Sequence, residues 1–240
     1  MKRIIPLLLA FLLCLVSCLA EEQDTASVVQ TISLTVNGTE VPVIWEDNPS
    51  VQQLREHLPL TISTTGFGGL QKVGYLEQKI QDSDILTDAE PGDIILFEAR
   101  WIMLFYGYHS GKYTRLGRIP ADLTEKEMQV IAEDRDKTSE QLEEELQEAA
   151  EDKDNPPEQW EADLKKKAAK EFAEIEKETA KKTEEIRTSG LQEAEKQEKM
   201  EELKTQETEK KEEMLIQLIK SGKMKELLGG KITVTISAGE

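Results

Sequence analysis

The sequence predicts a mainly β protein: a small closed or half-closed barrel with one or two short helices, interrupted by a long inserted α-helical segment. β-branched residues are frequent from about residue 28 to 119, whereas Glu and Lys dominate from about 121 to 222. The chain then ends in an alternation of Ile232, Val234 and Ile236 with polar residues, and a period of two predicts a strand. Such a strand needs a sheet to join, and only the N-terminal block can supply one. The charged block is therefore predicted to be an insertion and not a tail.

The N-terminal block opens with a predicted β-hairpin, because Asn37-Gly38 fits a tight turn between two alternating runs. The apolar positions of these runs are Ile32, Leu34, Val36, Val41, Val43 and Trp45. Pro49 favours a helix start after the hairpin, and this helix is predicted to end before Pro59.

Two further apolar runs, Ile94 to Phe97 and Trp101 to Tyr106, follow the turn residues Pro91-Gly92. Both runs are apolar at odd and at even positions, so each predicted strand is expected to be covered on both faces. Short strands of this kind, with a helix or two, favour a small barrel.

The charged block predicts helices with defined starts and breaks. Three pairs fit capping boxes: Thr124 with Glu127, Thr138 with Gln141, and Ser189 with Gln192. Breaks are predicted at Asn155-Pro156-Pro157 and at Thr188-Ser189-Gly190. The second break separates two arms of nearly equal length, about 158–187 and 191–221. An antiparallel hairpin of these arms would return the chain to the point where it left the barrel.

The two arms have only part of a coiled-coil pattern. The best heptad frame includes Phe172 and Ala168, but half of its seam positions are polar or charged, which disfavours stable zipping. Three interpretations stay open: a solvated spacer or loosely held hairpin, a helix-mediated partner site, and a disordered segment.

The first eighteen residues predict a bacterial secretion signal. Two basic residues precede an apolar run from Ile4 to Val16, which is too short to span a bilayer comfortably. Leu15-Val16-Ser17-Cys18 fits a lipobox, in which Cys18 carries the lipid. The alternative is cleavage after Ala20, which would give a secreted protein. The predicted location is therefore outside the cytoplasm, either anchored to the cell membrane or secreted.

Composition excludes several classes of chemistry. Both cysteines, Cys14 and Cys18, lie in the signal region, so the mature chain can form no disulfide, thiol nucleophile or cysteine–zinc site. The two histidines are far apart and predict no metal site, and no cofactor is predicted because phosphate-loop and dinucleotide patterns are missing. The net charge of -18 disfavours nucleic acid as a partner.

Several motifs, in order along the chain, resemble one protein family. They are Phe67-Gly68-Gly69, Lys72 to Leu76, Pro91 to Phe97, Phe105-Tyr106-Gly107, Tyr113 to Gly117 and the closing Leu227 to Gly230. Together they resemble the bacterial cyclophilin-like fold proteins, small β-barrel domains often found with a lipoprotein-type signal. With this resemblance the chain divides into a signal peptide with lipobox (1–18), a linker (19–29), a cyclophilin-like barrel (30–120 and 223–240) and a charged helical insertion (121–222).

The resemblance implies little about activity, because fold does not imply function. True cyclophilins isomerise X-Pro bonds with an arginine set beside an apolar pocket, and their Phe-His-Arg signature is absent here. Relatives commonly carry a tryptophan shortly before Tyr-Thr-Arg-Leu-Gly, where this chain has Gly111.

One polar-aromatic cluster is the candidate ligand site. His109 lies between Tyr106 and Tyr113 with Arg115 nearby, and Phe67 joins them as a candidate ligand-binding residue. These residues would form a recess with aromatic walls and with His109 or Arg115 as the polar anchor. Packing at a turn and at the end of the barrel is the alternative, and no catalytic residue is predicted.

The favoured function is a non-enzymatic binding module of the cell envelope, anchored through Cys18 and holding a peptide or protein partner. The alternatives are a divergent peptidyl-prolyl isomerase that acts on exported chains, and a structural spacer.

Overall fold

The computed structural model describes residues 31–151 and 158–239. The predicted signal with Cys18, the linker (19–29) and the predicted break at Asn155-Pro156-Pro157 lie outside these ranges. The strands of the described part are β1 (Ile32–Val36), β2 (Thr39–Val41), β3 (Ile44–Trp45), β4 (Leu60–Ser63), β5 (Thr65–Phe67), β6 (Gln71–Tyr75), β7 (Ile85–Ala89), β8 (Asp93–Phe97), β9 (Trp101–Phe105), β10 (His109–Arg118) and β11 (Thr233–Ala238). The helices are α1 (Pro49–Glu56), α2 (Glu125–Asp134), α3 (Ser139–Glu151), α4 (Gln159–Thr188) and α5 (Glu193–Leu227).

The strands form two antiparallel sheets. The smaller sheet has the order β2-β1-β11-β4, so the last strand of the chain lies in its interior, paired with β1 on one side and β4 on the other. The larger sheet has the order β3-β10-β8-β9-β6-β5, and β7 pairs with the first half of β10. Both sheets contribute to one hydrophobic core, in which Leu34 and Ile236 of the smaller sheet pack with Leu96 and Leu104 of the larger.

The predicted fold class is confirmed: antiparallel β-sheets with one short helix form the barrel-like domain, and long helices follow in the chain. The turn between β1 and β2 has positive φ at both Asn37 (53°) and Gly38 (83°), as an Asn-Gly hairpin requires. Helix α1 begins after Asn48, whose side chain accepts a hydrogen bond from the Val51 N–H, with Pro49 in the first turn.

One detail of the first hairpin differs from the prediction. The run expected to form a single return strand is divided: β2 pairs with β1 in the smaller sheet, whereas β3 pairs with β10 in the larger one. The division falls at Pro42-Val43, and proline has no N–H to donate to a continuous ladder. The predicted faces are nevertheless kept across the two sheets. Val43 and Trp45 both pack against the core that buries Val41.

The described residues of the charged block form four helices between β10 and β11. Helices α4 and α5 are joined by a short connection and pack against each other along an antiparallel hairpin, while α2 packs on α5 and α3 packs on α4. Both arms are helical in the structure, so the interpretation of this block as a disordered segment does not hold.

The part of the hairpin nearest the barrel contains a hydrophobic core of its own, which the heptad analysis did not predict. Its fully buried members come from α2 to α5 and are Ile131, Leu142, Ala168, Phe172 and Leu215. The helical block is therefore a packed four-helix bundle at its base, from which two charged arms continue.

A buried lysine lies at the end of this bundle core that is farther from the barrel. The Lys211 side chain is 5% exposed, and its ammonium contacts carboxylate oxygens of Glu176 and Glu207 at 2.8 Å each. It also donates to the Lys137 carbonyl at 3.0 Å, and it lies 4.9 Å from the centre of the Phe172 ring. Each of its three hydrogens therefore has an acceptor, which removes most of the cost of burying the charge.

Two of the three predicted capping boxes are confirmed. Thr124 and Glu127 exchange hydrogen bonds at the start of α2, and Thr138 and Gln141 do so at the start of α3. The third prediction is wrong, because the Ser189 hydroxyl donates to the Ile186 carbonyl and thereby closes the end of α4. Helix α5 starts at Glu193 without a side-chain cap.

Helix α5 continues without a break past the predicted end of its arm and enters the barrel. Met224 is buried in the main barrel core together with Leu228, which follows the last helical residue. The Lys225 ammonium lies 5.9 Å from the centre of the Tyr106 ring. The last turns of α5 are thus part of the β domain's packing.

Acidification is expected to weaken the bundle through Glu176. Burial acts to raise the pKa of this carboxyl, but hydrogen bonds from Lys211 and Ser139 outweigh it and lower the pKa below its usual 4.5. The resulting stabilisation is fully present above pH 4.5 and is lost as the pH falls through the lower folded-state pKa. We expect Glu176→Gln to flatten the pH dependence of the free energy of unfolding in this acidic range, measured by urea denaturation. Glu174→Gln, at an exposed position of the same helix, is the control; equal slopes for Glu176→Gln and the wild type would contradict the assignment.

Candidate functional site: an apolar cleft on the outer face of the larger sheet

The larger sheet is apolar on both faces. Even-numbered residues of β8 and β9, such as Ile94 and Leu104, point into the main core shared with the smaller sheet. Odd-numbered residues of the same strands point to the opposite face and form a second cluster: Ile95, Met103 and Phe105, with Phe97 at its edge. The second face therefore also needs a cover, as the sequence predicted for these strands.

The cover is a two-stranded ribbon of β7 and the first half of β10. His109 to Tyr113 pair with Ile85 to Ala89, and Ala89 and Tyr113 are buried against the second cluster. The Tyr113 ring centre lies 5.9 Å from that of Phe97 and 5.8 Å from that of Phe105, within the range of favourable aromatic pairs.

The ribbon covers only part of this face and leaves a cleft of about 680 Å³. Its floor comes from β8 and β9, one wall from the β5–β6 hairpin and the other wall from β10. The lining residues are Thr65, Phe67, Gly68, Leu70, Gln71, Val73, Phe97, Trp101, Met103, His109, Gly111, Lys112 and Tyr113. The volume lies within the ~300–1,000 Å³ usual for ligand sites, and a mostly apolar lining with a few polar groups is typical of them.

The first wall is a tight hairpin that presents an aromatic ring. Gly68 and Gly69 both have positive φ, 62° and 70°, and connect β5 directly to β6. Phe67, which immediately precedes this turn, is 67% exposed. An aromatic ring with so much exposed surface beside an apolar cleft is suited to contact a ligand.

Polar groups lie along the second wall. The Tyr113 hydroxyl is 2.7 Å from Nδ1 of His109. Burial raises the pKa of Tyr113, so the phenol stays protonated and its O–H can donate a hydrogen bond to Nδ1. A neutral imidazole that accepts at Nδ1 carries its own hydrogen on Nε2, which leaves Nε2–H as a donor.

Gly111 makes the position of the Tyr113 ring possible. A Cβ at residue 111 would lie 2.5 Å from the Tyr113 ring, closer than real Cβ contacts allow. The ring therefore rests on the backbone of Gly111, and no larger residue at this position would fit with Tyr113 in its present place. The cleft of this chain is consequently built around Tyr113.

The structure brings together three of the five candidate residues. Phe67, His109 and Tyr113 line the cleft, whereas Tyr106 and Arg115 do not. Tyr106 packs against the main core and faces Lys225 of α5.

Arg115 is part of a structural ion-pair cluster. Its guanidinium is 3.0 Å from a carboxylate oxygen of Asp93, whose side chain is fully buried, and it also donates to the Asp88 carbonyl at 3.1 Å. The other carboxylate oxygen of Asp93 is 2.6 Å from Nε of Arg118, and the same hydrogen bond is the main cause of the raised pKa of Arg118. Two arginines thus neutralise one buried acid at the start of β8.

Sequence reasoning missed most of the floor of the cleft. Phe97, Trp101 and Met103 belong to the two runs that were predicted to be covered on both faces, but the cover was expected to be complete. Leu70 and Val73 come from the β5–β6 hairpin, and the alternation of β6 is the signal that could have identified Val73. Among the described residues, no cluster of His, Cys, Asp and Glu could hold a metal ion, and no helix is long and apolar enough to cross a membrane.

Comparison with known proteins agrees with this architecture. Residues 34–143 match the model of a family described as a cyclophilin-like family. The match runs from within β1 through β10 of the β domain and extends through α2 into α3. It supports a cyclophilin-like domain, and with it a module of binding or isomerase type. The comparison found no match among curated proteins and none among solved structures.

The contact between Gly111 and the Tyr113 ring can be tested by a double-mutant cycle. Gly111→Ala is expected to lower the free energy of unfolding by about 1–3 kcal/mol, because the new methyl group overpacks against the ring. In a Tyr113→Ala background the same substitution should cost less, because the ring is gone. Urea denaturation of the four proteins measures both values. An equal cost in the two backgrounds would show that Gly111 does not act through Tyr113.

Proposed function

We propose that the chain is a binding module whose cleft holds an extended apolar segment of a peptide or protein. The observation that carries this proposal is the cleft itself: an aromatic and aliphatic surface that the β7–β10 ribbon leaves open beside an exposed Phe67. An open apolar cleft with a few polar groups favours an occupant with apolar side chains and a backbone that can form hydrogen bonds.

The strand arrangement supports an extended occupant. Strand β5 pairs with β6 alone, and the His109 to Tyr113 half of β10 pairs with β7 alone in the described sheets. Both walls of the cleft therefore come from backbone segments with a strand partner on one side only. An extended peptide can pair with such an edge and place alternate side chains on the apolar floor.

The isomerase alternative has less support from the cleft. The reaction implied by true cyclophilins uses an arginine beside the apolar pocket, and none of the described residues that line this cleft is an arginine. Arg115, two residues after the lining Tyr113, is engaged with Asp93, and Arg100, next to the lining Trp101, donates to the Glu77 carbonyl at 3.0 Å. Binding without turnover is therefore the function that we propose, and turnover is an outcome that the binding experiment can detect.

We further propose that the module works outside the cytoplasm, attached to the membrane by a lipid on Cys18. The support for this is the lipobox-like Leu15-Val16-Ser17-Cys18 after a short apolar run. The β domain begins with β1 at Ile32, so the segment between Cys18 and the first strand would serve as a tether.

Removal of the Phe67 ring is expected to weaken peptide binding. We expect Phe67→Ala to reduce the affinity for an apolar peptide by about tenfold, because truncation of an aromatic hot-spot residue in an apolar site costs about this much or more. Leu86→Ala is the matched control, since Leu86 is 77% exposed on β7 and does not line the cleft. Isothermal titration with a panel of X-Pro and proline-free apolar peptides measures the affinities.

Two results would contradict the proposal. If no peptide of the panel binds at high protein concentration, the cleft is not a peptide site. If exchange NMR on the X-Pro peptides shows catalysed isomerisation that Phe67→Ala abolishes, the module is an enzyme and not a simple binding domain.

Lipid attachment predicts a specific mass and a specific location. The full-length chain expressed in a bacterium is expected to fractionate with membranes and to carry a diacylglyceryl group on Cys18, detected by mass spectrometry of the N-terminal peptide. Cys18→Ala should abolish both, whereas Cys14→Ala should preserve them. A mature protein that starts after Ala20 and carries no lipid would favour the secreted alternative.

A further inference from the structure

The connection between helix α5 and strand β11 holds the first wall of the cleft. This connection consists of residues 228–232. The Ile232 carbonyl accepts from both the backbone N–H and the hydroxyl of Thr64, each at 3.1 Å, and Thr64 immediately precedes β5. The Gly230 carbonyl accepts from the ammonium of Lys72 in β6. Both strands of the β5–β6 hairpin are therefore hydrogen-bonded, in or next to the strand, to the same short segment.

Lys72 lies on the face of β6 that is turned away from the cleft. Val73 lines the cleft, so its neighbour Lys72 points to the opposite face of the sheet. On that face Lys72 is 7% exposed, and a Cβ at Gly66, the central residue of β5, would lie 3.9 Å from its Nζ atom. The ammonium thus lies close to the rear of the hairpin and contacts the connection, and it does not touch a ligand in the cleft.

The surroundings of Lys72 differ from those of Lys211, the other buried lysine of the described residues. Lys211 has two carboxylates among its acceptors, whereas the ion pairs of the described residues include none with Lys72, whose ammonium is bound by a backbone carbonyl. Burial of an ammonium with a neutral acceptor costs free energy, so stability alone favours an apolar side chain at this position. What the contact supplies is a fixed distance between β6 and Gly230.

The last turns of α5 reach the same wall by a second route. The Lys225 ammonium lies 5.9 Å from the centre of the Tyr106 ring. The N–H groups of Tyr106 and Gly107 donate to the Leu70 carbonyl at 2.9 and 3.0 Å, and Leu70 lines the cleft. A displacement of α5 therefore acts on the β5–β6 hairpin at two places, its turn and its rear.

We propose that the helical block and the cleft are coupled through the α5–β11 connection, with Lys72 as the positioning residue that transmits the position of α5 to the wall that carries Phe67. The coupling is reciprocal, as the linkage of two binding equilibria must be: a peptide in the cleft restrains the connection, and a partner that shifts α5 alters the peptide affinity. The inference rests on the proposed function for its ligand, whereas the link between the wall and the connection exists with or without a peptide.

Amide hydrogen exchange of the full chain tests this link, with and without the apolar peptide that binds best in the titration. Lys72→Met keeps a long apolar side chain and removes the ammonium. Without peptide, we expect residues 65–73 and 228–232 of this variant to exchange about three- to tenfold faster than in the wild type, because a hydrogen bond contributes about this factor to a local opening equilibrium.

The peptide provides the second measurement. In the wild type it should slow exchange at residues 228–232 as well as in the wall, whereas in Lys72→Met it should slow exchange in the wall alone. The peptide affinity of Lys72→Met should be about three- to tenfold lower, because the wall is no longer held in its binding position. Thr64→Val, which removes the other side-chain hydrogen bond to the connection, should change both measurements in the same direction.

Ser33→Ala is the matched control. The Ser33 hydroxyl is 2.8 Å from that of Ser237, so this variant also removes a side-chain hydrogen bond near the end of the chain, but on the side of β11 that pairs with β1. It should leave the exchange of residues 65–73 and the peptide affinity within about twofold of the wild type.

The outcomes separate the coupling from the proposed function. Wild-type exchange at residues 65–73 in Lys72→Met, or acceleration by the same factor throughout the β domain, would overturn the coupling even if the peptide binds. Equal peptide affinities of Lys72→Met and the wild type would show that Lys72 does not position the site. Faster exchange confined to residues 65–73 and 228–232, with no peptide bound by the wild type, would support the link and overturn the peptide site.

Discussion

The pairing of β11 between β1 and β4 is the constraint on which the rest of the structure depends. The smaller sheet cannot form its order without this strand, and its side chains Val234 and Ile236 lie in the core that both sheets share. More than a hundred residues separate Arg118, the end of β10, from Thr233, the start of β11. Closing so long a connection costs conformational entropy, and an ordered helical hairpin lowers that cost because it fixes the return path. The helical hairpin thus lowers the entropic cost of bringing β11 back between β1 and β4.

A second consequence follows from how the larger sheet is covered. Its inner face is closed by the smaller sheet, whereas its outer face receives a single two-stranded ribbon. The ribbon is held by Tyr113 on the aromatic cluster and by Arg115, which bridges Asp88 and Asp93. Because the ribbon is narrow and is held at one side of the outer face, it leaves apolar surface of the larger sheet exposed at the other side. This exposed surface is the floor of the cleft. The ionisable residues of the cleft, His109, Lys112 and Tyr113, all belong to β10, a strand of the ribbon itself.

Much of this fold could be predicted from the sequence, because period, turn residues and caps act locally. The hairpin at Asn37-Gly38, the pairing of the last strand with a sheet of the N-terminal block, the return of the helical arms and two capping boxes all follow from such signals. Tyr106 and Arg115 show the limit. Both are neighbours of His109 in sequence, but Tyr106 follows β9 toward the main core, and Arg115 is drawn to a buried acid twenty-two residues earlier. Which side of the sheet a residue faces depends on register and on the bulge between Arg115 and Gly117, and composition does not encode either.

The helical block shows the same limit at a larger scale. A heptad frame averaged over both arms is half polar, which obscures the fact that apolar residues are concentrated at the base. There they meet α2 and α3, so the core is that of a bundle of four helices and not of a two-stranded seam. The buried Lys211 also belongs to this bundle, because its acceptors are Glu176 on α4, Glu207 one turn earlier on α5, and the Lys137 carbonyl between α2 and α3.

Helix α5 has no joint between the charged arms and the barrel. It spans 35 residues from Glu193 to Leu227, about 52 Å at ~1.5 Å per residue, and its final turns are anchored among core side chains. Since a straight helix resists bending far more than a loop does, the direction of the arms is set by the packing around Met224 and Leu228. The packing of the last turns therefore keeps the tip of the hairpin at a defined distance from the barrel core, and a partner bound at the tip would be held at that distance.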